Sequence, residues 1–150
     1  MRHVLLKKTR MSREARLHVT GGETERRIVL LVEDEPLIML ELQEMLDDLG
    51  WNTAHLASDI DKALELAQRE VLDLAILDVN VKGRTSFPVA QILAQRNVPI
   101  ILATGYSTEM ILENYPRAVY LPKPYVTSDL AKALEQAMDR APGDEKRRRA

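Results

Sequence analysis

Apolar residues in this chain follow two rhythms. Nearly unbroken apolar runs occupy 28–32, 72–77, 98–103 and 118–121, with a weaker one at 53–57. A run of this kind marks a strand buried on both faces, as in a parallel sheet covered by helices. Between the runs, apolar residues return every three or four positions, the helical period. Ile38, Leu42, Met45, Leu46 and Leu49 form one such stripe, opened by Pro36 and stopped by Gly50. Ile60, Ala63, Leu64 and Ala67 form a second, with Ser58 as its N-cap. Ser86 opens a third through Arg96, burying Phe87, Ala90 and Leu93. A short fourth helix over 108–114, closed by Pro116, is weakly patterned. Thr127 or Ser128 caps the last helix, with Leu130, Ala133, Leu134, Ala137 and Met138 on one side.

Five rounds of strand then helix predict an α/β fold: a doubly wound five-stranded parallel sheet, right-handed crossovers, and helices on both faces. The boundaries fall at 28 and 140. Residues 1–27 show no sustained period and read as a basic N-terminal extension, flexible and outside the fold, with Met11 as an alternative start. Residues 141–150 read as a basic C-terminal tail.

Composition removes several function classes. There is no cysteine among the 150 residues, hence no disulfide, thiolate metal site or thiol nucleophile. No stretch approaches the ~18 consecutive apolar residues of a membrane span, and no secretory signal opens the chain. A cytoplasmic protein is the expectation. The net charge of −2 hides an asymmetry: residues 1–27 sum to +5 and 140–150 to +3, leaving −10 between them. An acidic globule with basic ends is a poor nucleic-acid binder over its folded surface.

In a parallel sheet every strand's C-terminal end lies on one edge, where ligands bind. Asp78 ends the 72–77 run, before a loop over 78–85 marked by Asn80 and Gly83. Taken alone, a carboxylate there serves equally as a helix cap or turn former. The other strand ends carry Glu33 and Asp34, Thr104, and Lys123. Two carboxylates ~4–5 Å apart repel by roughly 3–4 kcal/mol at an effective dielectric near 20. Three stay ionised together only beside cations, or one takes up a proton. Lys123 supplies one positive charge, and an all-oxygen set suits Mg²⁺ for the rest. Such a pocket is fitted to a phosphoryl group, with a carboxylate able to attack phosphorus in line.

Four segments, Val32-Glu33-Asp34-Glu35-Pro36, Leu77-Asp78-Val79-Asn80, Ala103-Thr104-Gly105 and Leu121-Pro122-Lys123-Pro124, in this order and spacing resemble the receiver domain of two-component response regulators. The resemblance covers about 28–140. Residues 99–106 further resemble a receiver subgroup marked by P-F-x-F-A-T-G-x-Y-like sequences, with Ile and Leu here where that subgroup favours Phe. The resemblance implies a flavodoxin-like strand order 2-1-3-4-5. It implies that Asp78 is the phosphoacceptor, charged by a sensor histidine kinase or a histidine phosphotransferase. Asp34 would bind Mg²⁺ directly, Glu33 through water, Asn80 by its backbone carbonyl, and Asp78 itself would complete the metal set. Thr104 would hydrogen-bond the phosphoryl group, and Lys123 would pair first with Asp78 and then with the phosphoryl oxygen, the Lys123–Pro124 bond being cis. Tyr120 matches the family's switch aromatic, moving as Thr104 is drawn inward; the alternative is a partly buried strand tyrosine. Tyr106 would shield the acyl phosphate from water. A downstream protein partner would then meet the face made by the fourth helix, fifth strand and fifth helix.

Such a protein is a phosphorylation-dependent switch or phosphorelay component. It is not an enzyme on other substrates, though it catalyses its own phosphorylation and slow dephosphorylation. With only ten residues after 140, the expectation is a stand-alone receiver without a DNA-binding domain, with a homodimer left open. One alternative is a receiver-like module that binds partners unphosphorylated; the complete acid, Thr and Lys set argues against it. Another is an aspartate-nucleophile phosphatase of the haloacid dehalogenase type, which needs an acid where Asn80 stands. A flavodoxin-like flavin binder would find its phosphate repelled by Glu33-Asp34-Glu35, and no GxGxxG fingerprint is present.

Overall fold

A computed structural model describes residues 27–51, 53–105, 113–115 and 117–140. The elements are β1 (Ile28–Val32), α1 (Pro36–Asp48), β2 (Thr53–Ala57), α2 (Ile60–Arg69), β3 (Leu74–Asp78), β4 (Asn80–Val81), β5 (Arg84–Thr85), α3 (Phe87–Gln95), β6 (Ile100–Thr104), β7 (Val119–Pro122) and α4 (Thr127–Asp139). The five long strands form one sheet in the order β2-β1-β3-β6-β7, every pair parallel. Leaving out the short β4–β5 pair, this is the expected order 2-1-3-4-5.

Successive strand residues point to opposite faces, and both faces are covered. Leu30, Val32, Ala75, Leu77 and Leu102 pack with α2 and α3 residues such as Ile60, Ala63, Ala90 and Leu93. Their neighbours Val29, Leu31, Leu74, Ile76 and Ile101 pack with Met39, Leu42, Leu46 of α1 and Leu130, Ala133, Leu134 of α4. That double burial is why the runs show no polar alternation. Each such Leu or Ile contributes about 1.5–3 kcal/mol by leaving water, which fixes the strands and so the edge where they end.

Three helix starts differ from expectation. Asp59, not Ser58, caps α2, its Oδ1 accepting from the Lys62 N–H at 2.7 Å. The last helix already includes Thr127 and Ser128; Val126 occupies the cap, and Asp129 Oδ2 accepts from its N–H at 3.0 Å. Ser86 does stand at the cap of α3, but its hydroxyl makes no capping bond. The 78–85 segment is no plain loop either. Asn80 pairs with Thr85 and Val81 with Arg84 in a small antiparallel hairpin. The strand assigned to 72–77 runs from Leu74 to Asp78, so Asp78 is its last residue. Of the helix expected over 108–114, only residues 113–114 are described, as helix; the rest, with Tyr106, lies outside the described residues. So do residues 1–26 and 141–150, whereas Arg27 places its guanidinium 5.5 Å from the Trp51 ring centroid.

Candidate functional site

The site forms where β1 and β3 end side by side. From β1 the chain crosses to β2 on one side, then returns past β1 to β3 on the other. That reversal opens the crevice in which doubly wound sheets bind ligands. Just past β1, the Glu33 N–H donates to the Ala57 carbonyl at 3.1 Å, extending the sheet by one bond. This turns the Glu33 side chain inward, where it is 4% exposed. Its Oε1 accepts from the Glu35 N–H at 3.1 Å, fixing the turn into α1. Asp34 projects beside it, and Asp78 arrives from β3.

Glu33, Asp34 and Asp78 each bring a carboxylate oxygen within 4.8 Å of the others. Lys123, just beyond β7, inserts its ammonium from the far side. Its Nζ lies 2.9 Å from Asp78 Oδ2 and 3.3 Å from Glu33 Oε2. The Lys123–Pro124 peptide is cis, as expected. The Lys123 N–H donates to the Thr104 carbonyl at 3.0 Å, tying the ends of β6 and β7 together. Thr104 is buried. Tyr120 is half-buried, and its hydroxyl donates to the same Thr104 carbonyl at 3.3 Å. Asn80 has an exposed side chain, and its N–H reaches Asp78 Oδ1 at 3.4 Å.

Three carboxylates thus face one ammonium. Burial pushes the Glu33 carboxyl up to about 6; the Glu35 N–H pulls against this, the charge of Asp78 adds to it, and Lys123 opposes it. For Lys123, burial lowers the ammonium pKa, but contact with Asp78 and then Glu33 outweighs it, and the net direction is upward. A cluster of oxygen donors, short of positive charge and partly protonated near neutral pH, suits a hard divalent cation.

All the expected residues that are described therefore lie at the C-terminal edge of the sheet: Glu33, Asp34 and Asp78 clustered, Lys123 bonded to Asp78 and Glu33, and Asn80, Thr104 and Tyr120 beside them. One contact was not anticipated. The Lys82 N–H donates to Asp34 Oδ2 at 2.9 Å. The available signal was Lys82-Gly83 between two residue pairs, a two-residue hairpin pattern.

A sequence model of the response regulator receiver domain matches residues 29–135. This chain belongs to that family. The receiver domain is 38% identical over 118 residues to the transcriptional regulatory protein PdtaR of Mycobacterium tuberculosis, covering 76% of this chain and 58% of PdtaR. It thus spans a little over half the length of that relative. Among solved structures it is similar to SdrG from Sphingomonas melonis Fr1, at 34% identity and a TM-score of 0.67, covering 77% of this chain and 99% of SdrG. It is also similar to the receiver domain of the sensor histidine kinase PA1611 from Pseudomonas aeruginosa PAO1, whose structure has a magnesium ion coordinated in the active-site cleft. That match has 26% identity and a TM-score of 0.65, over 77% of this chain and 99% of the other. Among the described residues, no helix is long and apolar enough to cross a membrane.

Proposed function

We propose that this receiver domain is a phosphorylation switch or relay in which Asp78 is the phosphoacceptor, with residues 28–140 as the working unit between two basic flanks. The observation that carries the reading is the Lys123 ammonium, 2.9 Å from Asp78 and 3.3 Å from Glu33, closing a cluster of three acids. An Asp78 oxygen attacks the phosphorus of a phosphohistidine on a sensor kinase or phosphotransfer protein. The O–P bond forms as the P–N bond breaks, and the electron pair leaves with the imidazole nitrogen, which then takes up a proton. Lys123 exchanges its bond to Asp78 for one to a phosphoryl oxygen, and the Thr104 hydroxyl donates to another.

Glu33, Asp34, Asp78 and the Asn80 backbone carbonyl would hold Mg²⁺, which neutralises charge on the phosphoryl oxygens. The carboxylate set supports this, as does the magnesium-bound PA1611 receiver. Readout falls to Tyr120, whose hydroxyl shares the Thr104 carbonyl with Lys123: movement of Thr104 toward the phosphoryl group would break that bond and change the β7–α4 face seen by a partner. A groove of about 390 Å³ beside Lys123, lined by Ile38, Leu42, Met45 and Tyr125, gives the phosphodonor's own chain a place to rest. The protein works in the cytoplasm, where such kinases present their phosphohistidine.

The test is labelling of the full chain by a small phosphodonor with Mg²⁺. Wild type gains one phosphoryl group by mass and Asp78→Asn gains none. Equal labelling of Asp78→Asn would refute the assignment.

A further inference from the structure

The hairpin between Asp78 and α3 turns on Lys82 and Gly83, with φ of +50° and +78°. Positive φ at both central residues is the mirror-image turn that matches the twist of paired strands. Glycine adopts it freely, but a lysine is uncommon there. A bond far along the chain holds Lys82 in place: its N–H donates to Asp34 Oδ2 at 2.9 Å. The hairpin's other side is tied by Arg84 Nη1 to Asp61 Oδ1, 3.2 Å apart at the start of α2. That pair is exposed and contributes little.

We infer that the Lys82 amide is a positioning group for Asp34 as a metal ligand, its bond to Oδ2 fixing the carboxylate in the cluster with Glu33 and Asp78. The inference rests on the reading that these acids bind a divalent cation. A carboxylate that rotates freely loses that freedom when it ligates; one already bonded has lost it beforehand, and removing such supporting bonds typically weakens metal binding 10–100-fold. The donor's neutrality matters as well. A lysine or arginine side chain in its place would orient Asp34 but would also cancel the charge that attracts the cation. A backbone N–H orients without neutralising.

Mg²⁺ titration of the full chain, by calorimetry and by amide NMR, tests this. At Gly83 an added Cβ meets nothing within 4 Å, so Gly83→Val acts chiefly by opposing the positive φ and loosening the turn. Its Mg²⁺ dissociation constant should rise about tenfold, with the urea midpoint lowered only as far as a strained residue at positive φ requires. Lys82→Asn keeps the N–H, suits the left-handed conformation better and drops the ammonium; its dissociation constant should stay level or fall. In wild type, the Lys82 amide should keep its protection from hydrogen exchange at saturating Mg²⁺. Full affinity in Gly83→Val, weakened binding in Lys82→Asn, or loss of Lys82 protection on adding Mg²⁺ each overturns the inference. If wild type fails to bind Mg²⁺ at millimolar concentration, the metal reading fails and takes the inference with it. Tight wild-type binding with indifferent variants removes the inference alone.

Discussion

Lys123 reaches Asp78 across an intervening strand. The two are bonded at 2.9 Å, although β6 lies between β3 and β7 in the sheet. The contact is possible because Lys123 sits just past the end of its strand, where the backbone has left the sheet and the side chain can turn back over the edge. With Asp78 at 12% and Lys123 at 26% side-chain exposure, the pair is only partly wet. It is therefore a structural counter-charge and, on the proposed function, also a cation already placed where phosphoryl charge would arrive.

Lys123→Met should separate these two roles. Loss of a preorganised cation from a transferring group typically costs 10²–10³ in rate, so initial labelling of the full chain by a small phosphodonor should slow about 100-fold. Mg²⁺ affinity should hold or rise, because a competing cation is gone. Wild-type labelling rates would show that Lys123 is a structural partner only.

Glu33 gives the site a pH dependence with a definite sign. Its folded pKa of about 6 lies above the ordinary 4.5. Between those values the folded state holds more proton than the unfolded one, so stability falls as pH rises through the window and levels off above it. The contribution lost is on the order of 2 kcal/mol. A bound divalent cation requires the ionised form and reverses the preference. Mg²⁺ affinity should therefore fall as pH drops below about 6, with proton release on binding near that pH. Calorimetry in two buffers of different ionisation enthalpy measures the release; identical heats in both would contradict it.

The sheet was legible because its strands are buried twice. Leu30 and Leu31 belong to opposite cores, and only such positions produce an unbroken apolar run. The site was legible for the same reason, since ends of buried strands share one edge. Helix caps were not, because several capping residues stand together: Ser58 and Asp59 both qualify, and the path of the chain leaving β2 decides. The hairpin at 80–85 escaped because pairs of residues are too short to show alternation. The Lys82–Asp34 contact had no side-chain signature at all, being made by a backbone amide that every residue but proline carries.

Ser86 is the clearest place to gain stability. It is fully buried, its N–H donates to the Val79 carbonyl at 2.9 Å, and its hydroxyl has no partner among the described residues. An unmet buried hydroxyl costs about 1–3 kcal/mol. Ser86→Ala removes that cost and leaves only a small void, so it should stabilise the fold by about 1 kcal/mol. Denaturant unfolding measures this. Destabilisation instead would mean that the hydroxyl is bonded, most simply to a buried water.

Trp51 offers a negative control for cation binding. It stands two residues before β2, a five-residue strand, so at least about 16 Å of strand separates it from the edge that carries the acids. Trp51 is 5% exposed, with its backbone N–H donating to the Leu46 carbonyl at 2.8 Å. The Arg27 guanidinium lies 5.5 Å from the ring centroid. Mg²⁺ at Glu33, Asp34 and Asp78 should leave its fluorescence almost unchanged, while Arg27→Ala, which removes the cation from the ring, should alter the emission and so show that the probe responds. Strong quenching by Mg²⁺ would mean either a second cation site near β2's start or a sheet that transmits occupancy along its strands.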